Sequence, residues 1–274
     1  MRYLVDNHRL PLRRSCACVG LSPSVWYAPA LDWTVRDAEL IAALTRLVEE
    51  RPSRGFWKCY QILRRRYPQC NHKRLYRVYT AMRLNLRRPA KRRLPKRNRV
   101  PLYVPLEPDT VWSADFMSDA LVCGRRFRTF NLTDDFNREV LRIEIDTSIT
   151  SLRLIRVFEQ IKGERALPQV LRTDNGPEFL GEAFVQWAKD HGMAIQYIQP
   201  GKPNQNAFIE RFNRTFREEL LDQHLFVRLE DVREAAWWWM LEYNEQRPHD
   251  ALDGLTPTEY RQQRARSSTF EVSA

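Results

Sequence analysis

A chain of 274 residues, 43% of them hydrophobic, with a mean hydropathy of −0.57, can bury one large core or two modest ones. It contains no run of about 18 apolar residues, which excludes a membrane-spanning helix. The formal net charge of +11 is unevenly spread: residues 1–100 hold 24 Lys and Arg against 6 Asp and Glu, the remainder 21 against 28. A cationic front joined to a carboxylate-bearing back suits a polyanion such as nucleic acid better than a membrane surface, because the basic segments lack a strong apolar face. Five cysteines, an odd number with no secretory signal ahead of them, fit a reducing cytosol. Cys16-Ala-Cys18 has the wrong spacing for a zinc knuckle, and Cys70 with His72 lacks a second pair.

Residues 1–33 form a lead-in, expected as one short helix and a loop. From Thr34, a candidate N-cap, Leu40, Ile41, Leu44, Leu47 and Val48 recur at helical spacing up to Pro52. Phe56, Tyr60, Leu63 and Tyr67 define a second helix, and Leu75, Val78, Tyr79 and Met82 a third. Three short helices over 34–86 predict a small all-α helix-turn-helix domain, with Lys73, Arg74 and Arg77 on the exposed side of its last helix for DNA phosphates or base edges. A merely solvated cationic face is the alternative. Residues 87–108 combine Arg87, Arg88, Lys91, Arg92, Arg93, Lys96, Arg97 and Arg99 with repeated prolines. That composition cannot pack a core and reads as an extended linker, able to follow a DNA backbone or simply to solubilise.

Residues 109–264 change to strands. Val111–Leu121, Arg126–Thr133 and Val140–Asp146 are joined by short connections and predict an antiparallel meander. A helix over 151–162, a strand over 169–174, a helix over 179–191, a strand over 194–198 and a helix over 204–221 follow. The result is an α/β domain with a mixed five-stranded sheet and flanking helices. Val232, Ala236, Trp239, Met240 and Tyr243 mark a last long helix, in which Trp237-Trp238-Trp239 cannot all face one core. Thr256-Pro257-Thr258-Glu259 is a capping box that opens a final short helix, and 265–274 is expected to be a disordered tail. Asp119, Asp134 and Asp135 read as turn and hairpin acids, and Glu178, Glu218 and Glu219 as members of solvated helix faces.

Three other acids stand out. Asp115 lies inside an apolar strand, Asp174 ends one ahead of Asn175-Gly176-Pro177, and Glu210 shares a helix ridge with Arg214 and Arg217 at i, i+4 and i+7. An unpaired carboxylate within a strand needs solvent or a cation. Three such oxygens suit Mg²⁺ or Mn²⁺, whose remaining ligands are waters and substrate phosphates.

Asp115, Asp174 and Glu210, with Arg217 seven positions on, resemble the DDE signature of transposases and retroviral integrases. The phrases TDNGPEF, GKPNQNAFIERFNRTFREE and YNEQRPHDAL…TPTEY are similar to the second-frame transposase of the bacterial insertion-sequence-three family, over roughly residues 35–262. The resemblance implies an RNase H-like integrase core and metal-dependent DNA cleavage and strand transfer, with Asp115, Asp174 and Glu210 binding two ions. It further implies that Arg217, Arg214 and Lys202 hold DNA near the ions, and that Asn175 and Asn206 support the site. Double-stranded DNA, a homo-oligomer on it, a first-frame protein or fusion, and a bacterial cytoplasmic, nucleoid-associated location follow as expectations. A DNA-binding regulator or idle transposase remnant is the alternative, and an RNase H-type hydrolase shares the metal chemistry.

Overall fold

The computed structural model describes residues 2–28, 32–86, 103–199 and 203–271, in a chain that divides into two compact units, Met1–Arg46 and Leu47–Ala274. The first unit holds α1 (Arg2–Asp6), α2 (Leu12–Cys18), α3 (Ser24–Tyr27), α4 (Trp33–Arg36) and most of α5 (Ala38–Glu50), so the lead-in carries three short helices rather than one. The N-cap before α4 is Asp32, not Thr34. Its Oδ1 accepts from Thr34 N (2.8 Å) and Thr34 Oγ1 (2.6 Å). Leu40 and Leu44, one turn apart on α5, are buried.

The second unit begins with α6 (Phe56–Arg66) and α7 (His72–Ala81). Cys59 and Leu63 of α6 and Leu75, Val78 and Tyr79 of α7 are their buried residues. The sequence groups these helices with residues 34–46 as one DNA-binding domain; the division at Arg46 instead places them with the sheet. The reason is a set of charge contacts. Arg51 and Arg54 both close on Glu242 (2.6 Å each), Lys58 Nζ donates to Pro248 O (3.1 Å), and Arg65 pairs with Glu259 (2.8 Å).

The sheet comprises β1 (Val111–Ala120), β2 (Arg126–Asp134), β3 (Val140–Asp146), β4 (Val170–Thr173) and β5 (Ala194–Tyr197) in the order β3-β2-β1-β4-β5. β1, β2 and β3 pair antiparallel through tight turns, while β4 joins β1, and β5 joins β4, in parallel. The parallel pairs require crossovers. α8 (Ser151–Lys162) makes the first; α9 (Pro177–Leu180) and α10 (Glu182–Asp190) make the second. A single helix over 179–191 is the sequence expectation, yet the chain breaks at Gly181. A Cβ there would collide with Ser151 Oγ and lie 2.9 Å from Ser151 Cβ.

Strand alternation supplies two cores. Trp112, Ala114, Phe130, Leu132 and Leu171 pack under α8 and α10 against Phe158 and Phe184. On the other face, Phe127 and Ile145 meet α11 (Ala207–Glu219) and α12 (Leu229–Glu245) through Ile209, Phe212, Phe216 and Trp239. Trp239 is buried, whereas Trp237 and Trp238 are exposed, so the three tryptophans split as helical geometry demands. α13 (Pro257–Glu271) opens with the expected capping box, Thr256 N donating to Glu259 Oε2 (2.8 Å) and Glu259 N to Thr256 Oγ1 (3.2 Å). It continues through Glu271, where the sequence predicts a disordered tail from 265; the good helix formers of 261–266 carry it on from Tyr260, and no Gly or Pro follows up to Glu271. Among the described residues no helix is long and apolar enough to cross a membrane.

Candidate active site

The second face of the sheet is apolar at its edge and polar at its centre. Met117 and Asp115 of β1 point to this side, with Thr129, Asn131 and Thr133 opposite on β2; Asp115 pairs with Asn131 and Ser113 with Thr133. Thr129 and Asn131 are fully buried. The parallel register sets Ser113 beside Arg172, and two residues further it would bring Asp174 beside Asp115. Glu210 stands in the first turn of α11, the helix laid over this face.

Asp115 Oδ1 accepts the Phe116 N–H (2.8 Å) and Oδ2 accepts Asn213 Nδ2 (2.7 Å). Asn213 Oδ1 in turn accepts Asn131 Nδ2 (2.7 Å), a polar chain from the sheet to the helix. Burial foremost, with the carboxylates of Asp174 and Glu210 adding to it, pushes Asp115 up to about 6. Asp115 therefore lies within electrostatic reach of both other acids. Asp174 Oδ1 accepts the Gly176 N–H (3.2 Å), and a Cβ at Gly176 would lie 3.1 Å from that oxygen, a tight contact that a side chain there would make by shifting the carboxylate.

A buried carboxylate with two further carboxylates near it and no basic partner has the chemistry of a divalent-cation site. The buried Asn131 Oδ1, without a hydrogen-bond partner among the described residues, adds an unused acceptor to that seam. Among the described residues, however, no three His, Cys, Asp or Glu side chains stand close enough together to hold one ion. Asp115 turns to Asn213, Asp174 to Gly176 N, and Glu210 is exposed to solvent.

The other residues singled out in the sequence divide. Arg214 is exposed on α11 beside Glu210. Arg217 is committed to the sheet, pairing with Asp119 (3.1 Å) and donating to Ser118 O (3.0 Å), so Asp119 is this arginine's anchor rather than a turn cap. Asn175 is exposed, while Asn206 is buried with Oδ1 unpartnered among the described residues. Lys73 and Arg77 are exposed on α7 and Arg74 is half-buried. Lys202, Arg92 and Arg93 lie outside the described residues, as does the linker from 87 to 102.

Several contributors were not singled out. Asn213, three residues after Glu210, was legible as a polar break in the stripe Ile209, Phe212, Phe216 and Leu220. Asp134 and Asp135, expected as hairpin acids, are fully buried. Asp134 accepts the N–H groups of Asp109 and Phe136, and Asp135 pairs with Arg172 (2.8 Å). Glu178 and Glu219, expected on solvated faces, pair with Arg128, which lies over the Phe116 ring, and with Arg247 (2.7 Å).

Two family models, both described as integrase core domain, match residues 105–203 and 191–257. The insertion element IS407 uncharacterized 31.7 kDa protein of Burkholderia multivorans is 41% identical over 249 residues, covering 90% of this chain and 89% of that protein. The insertion element IS476 uncharacterized 39.2 kDa protein of Xanthomonas euvesicatoria is 35% identical, covering 95% and 75%. Transposase InsD for insertion element IS2D of Escherichia coli is 24% identical, covering 84% and 80%. Among solved structures, a simian T-cell lymphotropic virus intasome chain superposes with a TM-score of 0.52 at 15% identity, covering 73% of this chain and 74% of that one. The sheet order and flanking helices are those of the RNase H-like integrase core.

Proposed function

The chain belongs to the insertion-sequence-three type of DDE transposases, within the retroviral integrase superfamily, and from that premise we propose how its residues cut and rejoin DNA. It is a DNA transposase, a polynucleotidyl transferase that moves an insertion element. In our reading Asp115, Asp174 and Glu210 hold two Mg²⁺ or Mn²⁺ ions. When bound, such ions offset charge on the attacking and departing oxygens of an in-line phosphoryl displacement.

The protein's own contribution is placement. Asn213 keeps one Asp115 oxygen turned toward α11, so that Asp115 cannot rotate freely into the sheet. The Gly176 N–H holds one Asp174 oxygen. Arg214 and Lys202 attract the DNA backbone to the triad, Asn175 supports the turn, Asn206 braces the start of α11, and Arg217 fixes the helix to β1 through Asp119. Lys73, Arg74 and Arg77 of α7, with Arg92 and Arg93 of the linker, extend the contact along the element end. We further propose that the chain works as a homo-oligomer on DNA in the bacterial cytoplasm, joined by or fused to a first-frame partner.

The observation that supports the triad most directly is the placement of Asp115, buried in the sheet and tied to α11 by Asn213, with its carboxyl raised to about 6 first by burial and then by Asp174 and Glu210. Asp174→Asn is the test. It should abolish strand transfer in Mg²⁺ while leaving binding to element-end DNA within about twofold of wild type, since a single metal-ligating acid adds nothing to phosphate attraction. Transfer at wild-type rate by Asp174→Asn would remove the assignment.

A further inference from the structure

On α11, Asn213 and Arg217 reach the sheet, with Glu210 and Arg214 exposed beside them. Another stretch of the helix surface, with Phe208, Arg211, Phe212 and Thr215, lines a separate cavity of about 250 Å³. Four cations, Lys58, Arg138, Arg211 and Arg247, reach its wall, against one carboxylate, Asp250. The charges are unequally matched. Arg247 is neutralised by Glu219 (2.7 Å), and Arg138 donates to Asp135 O while its guanidinium stacks 3.3 Å from the Phe208 ring centre. Lys58 Nζ has only the Pro248 carbonyl (3.1 Å), with no carboxylate within ion-pair distance among the described residues. Arg211 is exposed and makes no ion pair among them. His249 Nε2, on a side chain 92% buried, also has no hydrogen-bond partner there.

Burial first, and then the neighbouring Arg247, lower Lys58 to about 8, and the more distant carboxylates of Glu219 and Asp250 offset this only in part. An anion would pair with Lys58 and Arg211, the two cations of this wall that have no carboxylate within ion-pair distance among the described residues.

A second observation says which anion. Across Lys58 and Asp250, which border both spaces, opens a cleft of about 480 Å³ between α6 and α7, lined by Phe56, Trp57, Tyr76 and Tyr79. Trp57 is 59% and Tyr76 51% exposed. Aromatic faces beside a desolvated cationic pocket match a nucleotide, whose base stacks while its phosphate is neutralised. A free inorganic anion has no use for the rings.

We propose that Lys58 and Arg211 receive a backbone phosphate of a DNA strand whose neighbouring unstacked base lies against Trp57 and Tyr76. α6 and α7 then belong to the DNA-contacting surface of the catalytic body, along a stretch of the α11 surface other than the one that carries Glu210. This rests on the chain acting on DNA, and it names where a strand lies outside the reacting site.

The test uses the full chain in EDTA, so that no chemistry occurs, with blunt element-end duplex and the same duplex bearing a short single-stranded tail, titrated over a range of salt. Lys58→Gln and Arg211→Gln should each weaken binding several-fold and flatten the plot of log K against log salt by about 0.7 to 0.9, the loss of one phosphate contact. Trp57→Leu should weaken the tailed duplex by roughly fivefold or more and the blunt duplex little. Arg211 and Trp57 are exposed, so their variants remain informative if Lys58→Gln proves unstable. Wild-type affinity and slope in Arg211→Gln, together with wild-type tailed-duplex binding in Trp57→Leu, overturns the proposal. So does stabilisation of the wild type by millimolar inorganic phosphate if it is lost in Arg211→Gln while DNA affinity is unchanged. The readings fail separately: full transfer by Asp174→Asn removes the triad and leaves this surface standing, whereas the binding data remove this surface and leave the triad.

Discussion

Asn213 ties α11 to the sheet, and its replacement gives a result that can be worked out beforehand. The side chain is 92% buried, accepts Asn131 Nδ2 and donates to Asp115 Oδ2, both at 2.7 Å. Asn213→Ala removes both bonds and leaves the fully buried Asn131 amide without an acceptor. An orphaned buried donor costs about 1 to 3 kcal/mol, and the small void adds about 1 kcal/mol. For a body of this size, about 3 kcal/mol lowers the unfolding midpoint by roughly 6 to 12 °C. Strand transfer should fall by roughly 10 to 100-fold as Asp115 loses the group that orients it. Asn213→Asp separates the two effects. It keeps an acceptor for Asn131 but sets a second carboxylate against Asp115, a repulsion of about 5 kcal/mol at short range and an effective dielectric near 20. A shared proton relieves that repulsion. The proton is bound more tightly in the folded chain than in the unfolded one, so the variant should approach wild-type stability near pH 5 and lose it as pH rises toward 8. Differential scanning fluorimetry in EDTA and a strand-transfer assay read both outcomes. An Asn213→Ala midpoint within 1 °C of wild type, or a pH-independent deficit in Asn213→Asp, would refute the argument.

Burial, above all, lifts Asp134 to about 7 from an ordinary value of 3.8. The stability it lends is therefore full below about pH 4 and lost as pH rises to 7, at most about 4 kcal/mol; the wild-type midpoint should fall between pH 5 and 8, and Asp134→Asn should flatten the slope. Glu242→Gln leaves Arg51 and Arg54 without their shared carboxylate and should weaken the attachment of α6 and α7 by about 2 kcal/mol, seen as faster proteolysis between α7 and β1 with cleavage inside the sheet unchanged. Gly181→Ala drives a methyl group into Ser151, whose Oγ donates to Glu178 O (2.7 Å); overpacking of about 1 to 3 kcal/mol should lower the midpoint, and Ser151→Ala should recover part of it.

What the sequence made legible follows from which forces are local. Strand alternation in β1 and β2 and the stripe Phe56, Tyr60 and Leu63 are periodic, so the order of elements could be read directly. The capping box at Thr256 is contained in four residues and could also be read. The break at Gly181 could not, because it is set by Ser151, thirty positions earlier. Arg217 and Asp119, or Glu219 and Arg247, look like solvated charges in one dimension. Only the crossing of α11 over β1, and of α12 beside it, turns them into pairs.

The same logic explains why the cationic front of the chain is misread when its charges are simply summed. Residues 51–100 contain 18 Lys and Arg and no Asp or Glu, which makes the stretch look like one continuous DNA-binding surface. Arg51, Arg54 and Arg65 have acidic partners nearly two hundred residues away, in α12 and α13. Those cations bind α6 and its approach to the catalytic body, and so are already spent on the fold. The negative balance of the second half is reduced in step, because Glu242 and Glu259 are the acids they neutralise. Between these spent cations stands Lys58, on the same helix and turned to the same body, with a carbonyl where its neighbours have carboxylates. On the proposed path a DNA strand would meet Lys58 at the base of the aromatic cleft, so the position of α6 beside the catalytic body is what the Lys58→Gln and Trp57→Leu measurements probe.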